Sequence, residues 1–292
     1  MVWFSYHGGH SGEFCDHASS SLQGVVEAAI DRGFTHYGLS EHCPRYRDQD
    51  LYPGEERLGT DGLIRAFDGY VDRAFALRDA YAGQIELLVG FETEKLPPET
   101  WLDAMLSLKN AHPFDYVVGS VHDIDGRWID YSPQDTARLA EDLGGREALQ
   151  LAYFRSVIDM VDRLRPDVIA HLDLVRKFEP PGFSFSVRVM KKIERLLEAI
   201  KASGGVIDVN CAASRNGYGP VYPLPQILSR AREMGIRATF GDDSHGVKTV
   251  GVGLGQSREA VCAAGYTEVS YLTRSRGWQS AAIAEVRPKG AG

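Results

Sequence analysis

Short apolar runs alternate with longer amphipathic segments along the 292 residues of the chain. The short runs are rich in Val, Ile, Leu and Tyr and are apolar throughout, which is typical of parallel strands buried on both faces. They predict seven strands, at residues 2–6, 36–40, 85–90, 116–120, 167–170, 205–209 and 238–241. Apolar positions spaced three and four residues apart predict helices between them, at 21–32, 61–81, 99–110, 136–163, 187–202, 225–234 and 257–264.

This alternation of strand and helix continues along the whole chain without a break in composition. Seven such units predict an α/β fold in which a closed or nearly closed parallel (β/α)7 barrel forms one domain over residues 1–292. An open, doubly wound parallel sheet is the alternative that the same pattern allows. Residues 287–292 are expected to form a frayed tail.

Composition and charge narrow the class of protein. Hydrophobic residues make up 43% of the chain and charged residues 25%, which excludes a disordered protein and a membrane bundle. The absence of a signal-peptide pattern or an 18-residue apolar run predicts a cytoplasmic protein without a membrane partner. Four cysteines without a CxxC pair are expected to be reduced thiols. The net charge of −8 argues against nucleic-acid binding and, at first sight, against an anionic substrate.

The placement of histidines relative to the predicted strands is the most informative feature of the sequence. Two of the nine, His36 and His112, lie at or before strand starts and are expected to be structural or exposed to solvent. In a parallel barrel the carboxyl ends of all strands open on one face. Seven histidines and two carboxylates follow strands and should meet there: His7, His10, His17, His42, Glu92, His122, His171, Asp243 and His245.

One histidine at a strand end is more often a hydrogen-bonded structural residue than a ligand. Seven imidazoles on one face would repel one another when protonated and would need many partners when neutral. Metal ions relieve both problems, because neutral imidazole and carboxylate groups bind Zn, Mn and Fe. The pattern therefore predicts a metal cluster. Cys15 and Cys43 adjoin candidate ligands and are assigned to packing.

An ordered set of motifs carries a family resemblance. The segments are YHGGHSGEFCDHA, SEHCP, VGFETE, PFDYVVGSVH, IAHLDLVRKF, IDVNCA, VYPLPQIL and GDDSH. From about Tyr6 to Gly253 the chain resembles the PHP (polymerase and histidinol phosphatase) family, and within it the histidinol-phosphatase branch. The resemblance implies a distorted, TIM-like seven-stranded barrel that holds three divalent metal ions, Zn, Mn or Fe.

The resemblance also implies which residues hold each ion. The first would be bound by His7, His10, Glu92 and Asp243, the second by Glu92, His122 and His171, and the third by His17, His42 and His245. The family usually has one residue between its first two histidines, whereas two glycines separate His7 from His10 here. Glycine would permit a bulge that restores the geometry.

Such a site implies hydrolysis of a phosphate monoester by metal-activated water, with no Cys or Ser nucleophile. Three divalent ions bring +6 and Glu92 and Asp243 return −2, so the site would be about +4 and attract phosphate. The formal charge of the whole chain would move from −8 to about −2. Glu92, Asp243 and His245 are the candidate catalytic residues. The proton for the leaving group is assigned to either His245 or Asp16.

Arg215 and Lys177 are the candidate substrate-binding residues, because both follow strands on the same face and can contact phosphate. The resemblance to the histidinol-phosphatase branch implies conversion of L-histidinol phosphate to L-histidinol and phosphate in histidine biosynthesis. A PHP phosphoesterase for another small phosphate ester is the first alternative, and a non-catalytic, metal-stabilised module is the second. The expected partner is a small phosphate ester. The sequence leaves the oligomeric state open.

Overall fold

The structure, a computed structural model, describes residues 1–289. Its strands, in chain order, are β1 Phe4–Ser5, β2 His36–His42, β3 Glu86–Glu92, β4 Tyr116–Gly119, β5 Asp123–Ile124, β6 Arg127–Trp128, β7 Val168–Ile169, β8 Val206–Asn210, β9 Ala238–Gly241, β10 Glu268–Thr273 and β11 Gly277–Ala282. Seven of them form one sheet in the order β1-β2-β3-β4-β7-β8-β9. Every recorded pair in that sheet is parallel.

Nine helices accompany these strands in residues 1–289. They are α1 Leu22–Asp31, α2 Gly59–Ala80, α3 Trp101–Ala111, α4 Pro133–Asp142, α5 Arg146–Leu164, α6 Val187–Ser203, α7 Ala212–Arg215, α8 Pro225–Glu233 and α9 Leu254–Ala263. In α6, the Ser186 side chain accepts a hydrogen bond from the Val189 amide and caps the first turn. Among these described helices, none combines the length and apolar character needed to cross a membrane.

The sheet curls into a nearly closed barrel. Its strand order follows the chain order, without the reversal that marks a doubly wound sheet. The main-chain N–H of Tyr6, just after β1, donates to the carbonyl oxygen of Phe240 in β9 at 2.9 Å and so joins the two edges. The predicted TIM-like α/β barrel is confirmed, and the doubly wound alternative was wrong. One domain over 1–292 stays a prediction, and residues 290–292 lie outside the described residues.

The interior is filled by large aromatic side chains set against glycines. Tyr116 on β4 is buried, and it faces Gly38 on β2 and Gly90 on β3. A Cβ atom on Gly90 would lie 2.5 Å from the main-chain oxygen of Tyr116. Glycine at this position therefore lets β3 approach β4 closely enough for their ends to share one site.

The sequence pattern missed two hairpins and misjudged two other segments. The β5–β6 and β10–β11 strands pair antiparallel outside the main sheet. The single helix predicted at 136–163 is two helices, since Gly144 and Gly145 adopt φ values of +94° and +116° between them. Part of the predicted frayed tail is docked, because the amides of Arg287 and Lys289 donate to the carbonyls of Val2 and Gly33. The rest of that segment lies outside the described residues.

Substitution of Gly90 by alanine tests the close approach of β3 and β4. The added methyl group would meet main-chain atoms that cannot rotate away, so we expect Gly90→Ala to lower the free energy of unfolding by about 1–3 kcal/mol. Urea denaturation measures the effect. Gly255→Ala in α9 is the matched control, because nothing lies within 4 Å of its Cβ position and alanine favours a helix. Equal stabilities of Gly90→Ala and the original protein would contradict the proposed packing.

Candidate metal centre

The carboxylate of Glu92 lies at the centre of the histidine cluster. Glu92 is the last residue of β3, pairs in register with His42 at the end of β2, and is 1% exposed. Its Oε1 atom is 3.2 Å from His7 Nε2 and 3.4 Å from the Nε2 atoms of His122 and His171. Its Oε2 atom is 3.6 Å from His10 Nε2 and 3.1 Å from His42 Nδ1. One buried carboxylate thus contacts five imidazoles from four different parts of the chain.

A second group of imidazoles, those of His17 and His245, lies beside the His42 ring. The Nε2 atoms of His17 and His42 are 3.2 Å apart, and the rings of His17 and His245 lie 5.0 Å from centre to centre. Burial, reinforced by neighbouring histidines, lowers the pKa of His17 to about 3 and that of His245 to about 4. Both rings are therefore neutral near pH 7, which is the form that binds metal. The Cys15 thiol, assigned above to packing, lies 3.4 Å from His17 Nδ1.

Asp243 connects these two groups from the loop after β9. Its Oδ1 atom is 4.0 Å from His7 Nε2 and 3.6 Å from His245 Nδ1. Burial raises the pKa of Asp243, but the charges of His7 and His245 outweigh this and hold the pKa well below its ordinary value. The group is ionised at neutral pH and is a ready ligand for a cation.

Three carboxylates accept hydrogen bonds from the Nδ1 atoms of three of the histidines. His7 Nδ1 donates to Asp208 at 2.8 Å, His10 Nδ1 to Glu41 at 3.0 Å, and His122 Nδ1 to Glu94 at 2.9 Å. Each bond turns the Nε2 atom of its ring toward Glu92 and, in the neutral ring, selects the tautomer whose Nε2 has a lone pair for a metal ion. The ligand set predicted from the sequence did not include Asp208 or Glu41. Their signals were weak: Glu41 directly precedes His42, and Asp208 lies on β8 two residues before Asn210.

The two glycines between His7 and His10 bring both histidines to Glu92. Gly8 and Gly9 adopt φ values of +142° and +79°, a region that other residues rarely enter. A Cβ atom on Gly8 would lie 2.3 Å from Asp242 Oδ1 and 2.8 Å from the Ser244 amide nitrogen. The longer motif is therefore accommodated by a tight double-glycine turn, and both rings are fully buried beside the carboxylate.

The hydrogen-bond balance at Glu92 shows that these residues fit a metal ion. With Nδ1 donating to a carboxylate, Nε2 of neutral His7, His10 or His122 presents a lone pair. That lone pair faces an oxygen of Glu92, which is also an acceptor, at 3.2–3.6 Å. Among the described residues, the buried atoms His7 Nε2, His10 Nε2 and Glu92 Oε2 have no hydrogen-bond partner. A cation between the acceptors, or extra protons on the rings, removes this conflict.

The cluster forms the floor of a cleft of about 180 Å³. Arg215 lines its wall and donates from Nη2 to the main-chain oxygen of Asp243 at 2.8 Å and from Nη1 to that of Asp242. Lys177 also lines the cleft, and its Nζ donates to the main-chain oxygen of Asp130 at 2.7 Å. Both predicted phosphate contacts thus lie at the cleft, although each is partly engaged by the protein itself.

The two histidines expected to be structural lie outside the site, and only one of the two candidate proton donors lines the cleft. His36 is 3.4 Å from Glu86 at the start of β3, and the His112 ring packs edge-on against Phe114. Asp16, one of two candidates for the proton donor, is ion-paired with Arg57 at 2.6 Å. His245, the other candidate, lines the cleft.

The sequence of the chain is similar to those of known proteins. A family model described as the PHP domain matches residues 7–212. The chain belongs to the PHP domain family. The PHP chain is 36% identical over 270 residues to a protein of Schizosaccharomyces pombe named probable histidinol-phosphatase, covering 91% of this chain and 88% of the relative. It is 27% identical over 282 residues to the histidinol-phosphatase of Saccharomyces cerevisiae, covering 84% of each.

A solved structure shares the PHP fold. It is the histidinol phosphate phosphatase of Lactococcus lactis, described as complexed with Zn, L-histidinol and phosphate. The TM-score is 0.74 at 19% identity, over 93% of this chain and 97% of that one. At 19% identity the similarity between the two structures is one of fold. The nearly closed barrel of this chain agrees with that fold.

Substitution of Asp208 tests whether the buried carboxylates prepare the histidines for metal. Asp208→Asn keeps the size of the side chain but removes the charge that orients His7, so we expect metal affinity to fall about 10–100-fold. Metal content after dialysis against graded chelator concentrations measures this. Glu86→Gln, which alters a similar carboxylate–histidine pair at His36, is the control and should retain its metal. Equal metal retention in both variants would contradict the role of Asp208.

Proposed function

We propose that this PHP protein hydrolyses L-histidinol phosphate to L-histidinol and phosphate, with divalent metal ions as cofactors. The observation that carries the proposal is the clustering of the nine predicted ligand side chains, in a chain 36% identical to a protein named probable histidinol-phosphatase. Seven of them line one cleft, and the other two, His7 and His10, contact Glu92. The name of the Saccharomyces cerevisiae relative supports the same substrate, as do the L-histidinol and phosphate described in the Lactococcus structure.

Three ions are proposed, and the contacts of Glu92 support a bridging role for its carboxylate. Glu92 has one oxygen toward His7, His122 and His171 and the other toward His10 and His42, so it could be shared by neighbouring ions. The proposed ligands are His7, His10, Glu92 and Asp243 for the first ion, Glu92, His122 and His171 for the second, and His17, His42 and His245 for the third. Zinc, described in the Lactococcus structure, suits this mixture of imidazole and carboxylate, as do manganese and iron.

When bound, such ions polarise the phosphate oxygens and activate water for attack on phosphorus. The chain's own residues then bind and orient the ester. Arg215 is held at the cleft by the main-chain oxygens of Asp242 and Asp243, and its guanidinium is proposed to contact the phosphate together with Lys177. Asp16 is held by Arg57, and His245 is a proposed ligand whose lowered pKa leaves it neutral, so the leaving alcohol is proposed to take its proton from water in the cleft.

The cysteines beside the site are poor candidates for a covalent route. Burial raises the pKa of the Cys15 thiol and of the Cys43 thiol well above the ordinary value. Both groups therefore remain protonated at neutral pH, and a thiol is a much weaker nucleophile than a thiolate. This favours direct attack of water over a phosphocysteine intermediate.

Phosphate release from L-histidinol phosphate tests the proposed function. The metal-loaded protein should release phosphate, and Glu92→Gln should reduce kcat/KM by about 100-fold or more, because the amide lacks the charge that holds two ions. His36→Ala, at the opposite end of the barrel, is the control and should retain activity. Hydrolysis of p-nitrophenyl phosphate without hydrolysis of L-histidinol phosphate would instead support a phosphoesterase for another small ester.

A further inference from the structure

A carboxylate that lines the cleft but lies outside the proposed ligand set has one oxygen without a hydrogen-bond partner among the described residues. Asp130 lies just after β6, lines the cleft, and has a side chain that is 15% exposed. Its Oδ2 atom is 3.5 Å from Lys177 Nζ, whereas its Oδ1 atom is buried and has no hydrogen-bond partner among the described residues. Leaving a buried carboxylate oxygen without a donor is unfavourable. The site is therefore suited to a ligand that brings an N–H group.

Two aromatic rings line the same cleft as Asp130. Tyr52 and Trp128 both line the cleft, and their rings meet edge-to-face with centres 4.9 Å apart. The Arg45 guanidinium lies over the Trp128 ring at 5.3 Å on a second side. Burial and, next to it, the charge of Asp130 raise the pKa of Tyr52, which places that charge close to the wall. Two rings beside a carboxylate form a suitable site for a flat heterocycle that carries an N–H donor.

The other carboxylate of this wall, Glu94, is bound to two nitrogen donors of the protein. Its Oε1 atom accepts hydrogen bonds from Arg45 at 3.1 Å and from His122, a proposed ligand, at 2.9 Å, and these donors balance its charge. Its Oε2 atom, like Asp130 Oδ1, is buried without a hydrogen-bond partner among the described residues. Of the proposed phosphate contacts, Lys177 adjoins Asp130, and the ligand cluster and Arg215 provide the rest of the cationic part of the cleft. A substrate with a phosphate at one end and a nitrogen heterocycle at the other matches both parts of the cleft.

We propose that Asp130 determines specificity by accepting an N–H of the substrate's imidazole ring, which packs against Tyr52 and Trp128. This inference rests on the proposed function, since it assigns the part of L-histidinol phosphate that is recognised. Asp130 acts in binding and touches neither the phosphorus nor the proposed metal ligands. A phosphate ester without an N–H group in the position of the imidazole ring would form no hydrogen bond with Asp130.

Comparison of two substrates in two variants tests this assignment. L-Phenylalaninol phosphate has the same backbone and phosphate but carries a phenyl ring in place of imidazole. The wild-type protein should prefer L-histidinol phosphate by about 10–100-fold in kcat/KM, the range expected for a hydrogen bond to a charged group. Asp130→Asn should abolish most of this preference, while kcat/KM for phenylalaninol phosphate stays within about threefold.

Asp125→Asn is the matched control for this experiment. Asp125 occupies the turn of the same β5–β6 hairpin, is exposed, and has a φ of +51° that asparagine tolerates. This variant should keep the wild-type preference. An unchanged preference in Asp130→Asn, or an equal loss with both substrates, would overturn the assignment of Asp130.

Binding of the product separates the failure of this proposal from the failure of the proposed function. Calorimetry with the metal-loaded protein should show that Asp130→Asn binds L-histidinol about tenfold or more weakly and inorganic phosphate as the wild type does. If the wild type released no phosphate from L-histidinol phosphate but bound L-histidinol through Asp130, the proposed function would fail and the recognition would stand. If the wild type released phosphate from L-histidinol phosphate but Asp130→Asn bound L-histidinol as tightly as the wild type does, the recognition would fail and the proposed function would stand.

Discussion

The burial of one charged carboxylate governs the rest of this structure. Glu92 is 1% exposed at the end of a central strand, where an unpaired negative charge would be strongly destabilising. Five imidazoles contact it, and they reach it because every strand of the barrel is parallel and ends on the same face. The parallel barrel thus surrounds the Glu92 carboxylate with side chains that can bind cations.

The surrounding residues prepare these ligands in two different ways. Carboxylates outside the cluster hold the Nδ1 atoms of His7, His10 and His122, so these rings have fixed orientations. Burial lowers the pKa of His122, but Glu94 and Glu92 outweigh it and raise the pKa to about 10. His17 and His245 have lowered pKa values instead and stay neutral. Metal binding would therefore displace a proton from His122, whereas the rings of His17 and His245 are already neutral.

The strands of the barrel and the residues at their ends could be read from the sequence because burial on both faces leaves a clear apolar run. Strand β9 was predicted at its observed bounds, and the other six were placed within two residues at each end. The hairpins β5–β6 and β10–β11 lack such runs, and their residues depend on tertiary contacts such as the bonds between Tyr6 and Leu272. Asp208 and Glu41 were missed for a similar reason, since only the folded structure shows which carboxylate meets which histidine.

Anomalous diffraction from crystals of the metal-loaded protein tests the central role of Glu92 most directly. The account predicts ions within bonding distance of both oxygens of Glu92, one beside His7 and His10 and another beside His122 and His171. A third ion is predicted among His17, His42 and His245. A fully loaded protein in which Glu92 contacts only protonated imidazoles, with its ions bound elsewhere, would contradict the account.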